Sequence, residues 1–224
     1  MAARNLTEGK VSLGFPLFIT GLYALTRSRR VRAMLRRLAL RLEGGAMYSL
    51  TVRGIYRRFH NLDVGLYTIG PCEAGPDLLD PGTTIGRYCS IYYTVRTITR
   101  DYPAFANARH GLFFDPALGL PPNTGAPETR LEIGHDVFIG HNSVILPTAR
   151  SIGDGAFIGA GSVVQAPVPP YAVVMGNPAR VVRYRFSEPL IKELRESKWW
   201  LKAAGELTRE LADFRRPLEG DAVI

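Results

Sequence analysis

Four histidines, His60, His110, His135 and His141, are the residues of this chain best suited to moving a proton near neutral pH. An imidazole titrates at about 6.5, so it can act as base or acid where other side chains cannot. His135 and His141 sit six residues apart, each third in a six-residue unit: Ile133-Gly134-His135-Asp136-Val137-Phe138, then Ile139-Gly140-His141-Asn142-Ser143-Val144. Units that follow one another in such a series face different ways, so these two rings do not converge. A zinc site needs three or four converging ligands. No third ligand accompanies them, and no metal is expected. His60 lies in an arginine-rich stretch before the units. His110 lies in Arg109-His110-Gly111-Leu112-Phe113-Phe114-Asp115-Pro116, inside a stretch, 99–130, where the period breaks completely. Long aperiodic insertions in a regular fold are usually functional.

The units must position these histidines. Besides the pair above, the chain reads Ile85-Gly86-Arg87-Tyr88-Cys89-Ser90, then Ile91 to Arg96, and, after a one-residue slip at 145–151, Ile152-Gly153-Asp154-Gly155-Ala156-Phe157 and Ile158-Gly159-Ala160-Gly161-Ser162-Val163. A short period with fixed apolar and glycine positions is the pattern of a stacked β-solenoid. Three units make one triangular turn. The leading aliphatic residue points inward and stacks on its equivalent one turn along, about 4.8 Å away. The recurrent glycine is expected to serve the corners, where the backbone needs dihedrals that other residues avoid. Cys89 occupies an inward position and reads as a small core residue.

On these residues the chain resembles the left-handed parallel β-helix of hexapeptide-repeat acyltransferases. The closing stretch Pro169-Pro170-Tyr171-Ala172-Val173-Val174-Met175-Gly176-Asn177-Pro178-Ala179-Arg180-Val181-Val182-Arg183-Tyr184-Arg185-Phe186, with Lys198-Trp199-Trp200 after it, resembles the xenobiotic and sugar O-acetyltransferase branch. The likeness covers 83–200. It implies a homotrimer with sites in the grooves between subunits, acetyl-CoA as acyl donor, and a histidine base. Direct transfer to a sugar or polysaccharide-precursor hydroxyl would follow. Related sequences carry two histidines in the insertion, the first generally the base. Here Arg100-Asp101-Tyr102-Pro103 stands at the first place, and tyrosine, which titrates near 10, is a poor base. The resemblance therefore leaves His110 as the base, with His141 as second candidate. It implies that Ala160, Gly161 and Ser162 form a small-residue corner holding the pantetheine arm. It also implies CoA contacts from Asn177, Arg180 and Arg183, the arginines suiting phosphate through their forked donors. Three other readings stay open: an amine N-acetyltransferase, a metal-dependent hydratase, and a non-catalytic coil that binds CoA or a partner.

The expected organisation is an N-terminal arm over 1–62, a coil with its insertion over 63–186, and C-terminal helices over 187–224 that cap the coil end. Those helices are expected over 188–201 and 204–214. The net charge of +8 is concentrated in the arm. Residues 1–43 hold nine basic residues against two acidic, residues 44–182 hold ten against ten, and residues 183–224 hold nine against eight. A phosphate-tracking protein would spread its cations across a binding face, so nucleic acid is not an expected partner. Val11 to Leu25 is apolar but interrupted by Gly14, Pro16 and Gly21, and too short to span a bilayer. Arg29 to Glu43 reads as an amphipathic helix with Val31, Met34, Leu35, Leu38 and Leu42 on one face. Met47 to His60 reads as a second helix. Residues 11–43 are read either as packing on the coil or a neighbouring subunit, or as touching a membrane at its interface. Two cysteines make no disulfide framework and fit the cytoplasm, including the inner face of its membrane.

Overall fold

The structure, a computed structural model, describes residues 14–100, 110, 129–210 and 214. The repeated units form three parallel sheets that the chain visits in rotation. One sheet holds β1 (Asp63–Val64), β2 (Thr83–Ile85), β5 (Leu131–Ile133) and β8 (Ser151–Ile152). The next holds β3 (Ser90–Ile91), β6 (Phe138–Ile139) and β9 (Phe157–Ile158), and the third holds β4 (Arg96–Thr97), β7 (Val144–Ile145) and β10 (Val163–Val164). The order β2, β3, β4, then β5, β6, β7, then β8, β9, β10 is the path of a three-faced coil. Register is kept from turn to turn: Ile85 pairs with Ile133 and Ile133 with Ile152, Ile91 with Ile139 and Ile139 with Ile158. The last residue of every strand from β2 to β10 is buried. Each such aliphatic side chain contributes about 1.5–3 kcal/mol by leaving water.

The glycines differ from expectation in an instructive way. The corners that need a left-handed backbone are filled by Tyr88 (φ 60°), Asp136 (φ 55°) and Asn142 (φ 58°) as well as by Gly155 (φ 67°) and Gly161 (φ 70°). The glycine second in each unit has an ordinary dihedral. It is required by close approach instead: a Cβ on Gly140 would lie 2.6 Å from the nitrogen of Ala160, and one on Gly134 2.7 Å from the nitrogen of Asp154. Successive turns touch there, backbone on backbone.

The last turn closes with β11 (Ala172–Gly176), which joins β9 in parallel and folds back as antiparallel β12 (Ala179–Tyr184). The first turn is met by helices. α1 (Gly14–Leu25) runs through Pro16, which falls in the first turn where no intrahelical N–H is lost, and through Gly21. α2 (Arg29–Leu42) is capped by Ser28, and α3 (Leu50–His60) by Ser49. The face foreseen on α2 is only partly used: Leu35 is buried, and Val31, Met34, Leu38 and Leu42 are exposed. Arg53 of α3 is buried and donates to four carbonyls, those of Ala46 (2.7 Å), Ser49 (2.9 Å), Gly65 (3.1 Å) and Thr68 (3.3 Å). Buried Glu43 accepts from Ser49 and Thr51 beside it. A short helix α4 (Pro71–Ala74) follows β1.

The sequence predicts a cap on the coil end; the described part of the C-terminal segment, residues 187–210, makes contacts along the side of the coil. It runs back along one corner, from the last turn toward the first. Arg185 donates to Asp136 (2.9 Å) and to the Gly155 carbonyl (2.7 Å), with its guanidinium over the Tyr171 and Phe186 rings. α5 (Glu188–Ser197) follows and stops at Lys198 (φ 46°), so the expected single helix to 201 is broken there. Trp200 then stacks on His135 at 5.1 Å, Trp199 meets Tyr88 at 5.3 Å, and the Lys202 carbonyl accepts from Arg87 and Tyr88. A short helix, α6, spans Ala204–Leu207, and residues 211–213 of the expected 204–214 helix lie outside the described residues.

Two predictions follow from the packing. Arg53→Met should lower stability by about 3 kcal/mol, measured by urea denaturation, because it orphans several buried carbonyls at once. The second concerns pH. Burial, joined by the Arg36 charge, pushes His60 below the ordinary imidazole value, and burial does the same to His135 against the opposing Asp154. A depressed histidine gives stability that is present above the unfolded value of about 6.5 and is lost as pH falls through the folded value. The melting temperature should drop on acidification below pH ~6.5, and less steeply in His60→Gln.

Candidate functional site

The coil brings several of the sequence-nominated residues onto one edge. Thr94, in the turn below, carries the edge upward: its Oγ1 accepts from the Asn142 amide at 2.8 Å and meets His141 Nδ1 at 3.0 Å. One turn higher, the Gly161 amide donates to the His141 carbonyl at 2.7 Å, and Ala160 sits over Gly140. Higher again, Ser162 Oγ accepts from the Gly176 amide at 3.2 Å. Asn177 follows directly, at a cis Asn177–Pro178 peptide in the β11–β12 hairpin. His141, Ala160, Gly161, Ser162 and Asn177 thus form a column along the coil axis.

Each member of the column presents something different. Ala160 and Gly161 are exposed, and a Cβ on Gly161 would meet nothing within 4 Å, so open space lies against that backbone. The Ser162 side chain is buried and spent on Gly176, which leaves it a structural link between turns. Arg180 pairs with Met175 and Arg183 with Val173 across the hairpin. Arg180 is exposed and donates to the Ala179 carbonyl at 3.0 Å, and Arg183 is half-buried and reaches the Tyr184 carbonyl at 3.4 Å. The remaining guanidinium donors of Arg180 face solvent range, where phosphate oxygens could be held bidentately.

His141 is built in rather than merely present. Its ring lies 3.8 Å from that of Tyr92 and 5.2 Å, edge-on, from that of Tyr93. Thr94 Oγ1 accepts the Asn142 amide and keeps a proton that can go to His141 Nδ1. A bond in that direction makes Nδ1 the acceptor and sets the ring proton on Nε2. A groove of about 540 Å³ opens beside these rings, walled by Ile69, Glu73, Tyr92, Tyr93 and Phe138. Phe138 itself stacks on Phe157 at 4.5 Å. Tyr92, Tyr93 and Thr94 were not nominated from sequence. The available signal was the unit Ile91-Tyr92-Tyr93-Thr94-Val95-Arg96, which sets a tyrosine where the other units have glycine and follows it with a second one.

The other histidines go elsewhere. His110 is exposed, and the rest of its insertion, 101–109 and 111–128 with Tyr102 among them, lies outside the described residues. His135 belongs to a different corner, where Nδ1 accepts from the Arg87 amide at 2.9 Å and the ring is covered by Trp200. His60 is bonded to the Tyr23 hydroxyl at 2.8 Å in the arm. Among the described residues, no group of three His, Cys, Asp or Glu side chains could hold a metal ion.

Comparison with known proteins gives a consistent family of names. No family model matches the chain. It is 39% identical over 100 residues to a chloramphenicol acetyltransferase of Agrobacterium fabrum, covering 45% of this chain and 41% of that protein. It is 31% identical over 129 residues to a putative acetyltransferase of Bacillus subtilis, covering 57% of this chain and 63% of that one. The chain therefore spans less than two thirds of the length of these relatives. A hexapeptide-repeat-containing acetyltransferase of Vibrio cholerae, solved with acetyl coenzyme A, aligns over 76% of this chain and 85% of its own, with 18% identity and a TM-score of 0.44. In sequence, the chain is similar to acetyltransferases.

One property of the column can be read directly. In the native protein, nitrogen-15 NMR of His141 should show a single neutral tautomer with the proton on Nε2. In Thr94→Val, which cannot donate to Nδ1, the signals should move to a tautomer mixture.

Proposed function

We propose that this protein is an acetyl-CoA-dependent O-acetyltransferase of the cytoplasm, built on a left-handed parallel β-helix and working as a homotrimer. Its acceptor is a hydroxyl of a sugar or polysaccharide precursor. The observation that carries the reading is the column on one coil edge. It aligns a histidine held by Thr94 with an open small-residue backbone, in a chain similar to acetyltransferases.

In this reading the donor lies along the column. Ala160 and Gly161 offer backbone groups to the pantetheine arm, while Asn177, Arg180 and Arg183 take the nucleotide end with its phosphates. His110 acts as general base and removes the acceptor hydroxyl proton. The hydroxyl oxygen attacks the thioester carbonyl, and a tetrahedral oxyanion forms. Its collapse breaks the carbon–sulfur bond, releases the acetyl ester and returns the proton to the departing CoA thiolate. With Thr94 donating to Nδ1, His141 keeps its proton on Nε2 and serves as a donor rather than as the base. A neutral N–H aimed at a developing oxyanion stabilises the transition state more than the ground state. No covalent enzyme intermediate is needed.

A second reading has one observation in its favour: Tyr102 stands where related sequences carry their first histidine. A coil that binds CoA without turning it over would fit that departure.

Calorimetry with acetyl-CoA tests both halves. Micromolar binding at one site per chain is expected, weakened at least ~10-fold in Arg180→Ser/Arg183→Ser through loss of charge-assisted bonds. His110→Ala should keep that affinity and lose about 100-fold or more in turnover with a sugar acceptor. Absence of binding up to millimolar would sink the proposal. Tight binding with no turnover on any hydroxyl acceptor would favour the second reading.

A further inference from the structure

Helix α2 carries more apolar surface than the fold covers. Leu35 and Ala39 form its buried seam, while Met34 and Leu42 stand 60% and 61% exposed and Val31 and Leu38 are exposed beside them. At 3.6 residues per turn these four fall in one sector next to the seam. The sector beyond it holds Arg30, Arg37 and Arg41, all exposed. Adjoining α1 adds Phe18 and Leu25, 64% and 85% exposed. Hydrocarbon and guanidinium therefore lie side by side along one helix.

The charges identify what covers this face. No acidic residue lies between Gly9 and Leu42, and Glu43, the first one after, is buried and bonded to Ser49 and Thr51. A second copy of the chain offers no counter-charge in surplus: residues 44–182 balance ten basic with ten acidic residues, and a second arm would repel the first. The surface that fits is one that takes up apolar side chains and supplies a dense layer of phosphate oxygens. Over the described residues α1 has 12 residues and α2 has 14, against the ~20 a bilayer crossing needs. Among the described residues, no helix is long and apolar enough to cross.

We propose that α2 lies flat against an anionic phospholipid surface. Its exposed stripe enters the boundary between headgroups and acyl chains, and its arginines engage the lipid phosphates. The arm would thereby hold the coil, and the column on its edge, beside the membrane.

The test is sedimentation of the full chain with vesicles, one set of phosphatidylcholine alone and one containing about 30% phosphatidylglycerol. Binding to the anionic vesicles should exceed binding to the neutral ones at least tenfold, and should weaken as added salt shortens the screening length. Met34→Glu/Leu38→Glu should cut it at least tenfold, with melting temperature, size by light scattering and acetyl-CoA affinity unchanged. Arg30→Ser/Arg37→Ser/Arg41→Ser should do the same without touching the apolar stripe. Failure to bind anionic vesicles overturns the proposal. So does binding that both variants retain, which puts the contact on another surface. A change of oligomeric state in the glutamate variant overturns it too, because the face is then a contact between copies. Loss of acetyl-CoA affinity is a separate failure, since α2 lies outside the column, and it strikes the enzymatic reading instead.

Discussion

The structure rests on how closely one turn of the coil approaches the next. At Gly86, Gly134, Gly140 and Gly153, second in their units, backbone of the next turn passes with no space for a single methyl group, as Gly140 against Ala160 illustrates. That contact sets the register. Once it is set, inward aliphatic residues stack on their equivalents, and residues 19 positions apart, such as Ile139 and Ile158, become neighbours. The column on the coil edge is a product of the same constraint. Thr94, His141 and Gly161 meet because each turn repeats the path of the one before it. A larger residue in place of Gly140 would part the turns and pull that column apart with no column residue substituted.

Two arginines attach the rest of the chain to this frame. Arg53 fastens the arm to the first turn through the Gly65 and Thr68 carbonyls, and Arg185 fastens the tail through one carboxylate and one carbonyl. Guanidinium suits this work because its planar fork bonds several fixed acceptors without needing each one charged. The Asp136 carboxyl illustrates the cost of such a place. Burial raises its titration, and Arg185 pulls it back down.

The periodicity made the coil legible. Aliphatic residues at the head of each unit were assigned inward, and they are buried, as is Cys89. Helices over Arg29–Glu43 and Met47–His60 were also readable from apolar spacing, and they occupy Arg29–Leu42 and Leu50–His60. What escaped was anything set by contacts between distant turns. The role of the recurrent glycine is such a case, since it depends on what passes overhead and not on its own dihedral. The bond between Thr94 and His141 spans 47 positions, with a tyrosine pair breaking the motif beside it, so no local pattern announced it. The exposed half of α2 escaped for the converse reason. Its spacing shows that a face is apolar, and spacing cannot say how much of that face finds cover. The direction of the tail was hidden as well, because Trp199 and Trp200 could be read equally well as a cap or as a strap.

That strap bears on the order in which the molecule can be completed. Each turn needs only its predecessor, so the coil can be laid down turn by turn as the chain is synthesised. Yet the corner formed by Tyr88 and His135 is covered by Trp199 and Trp200, which are made more than sixty residues later. The earliest turns therefore wait, with their aromatic corner open, until the end of the coil has formed and the tail has doubled back. Long-range closure of this kind couples the first turn to the last. A linear stack, whose units would otherwise fray from either end independently, becomes a ring of dependencies that opens as a whole.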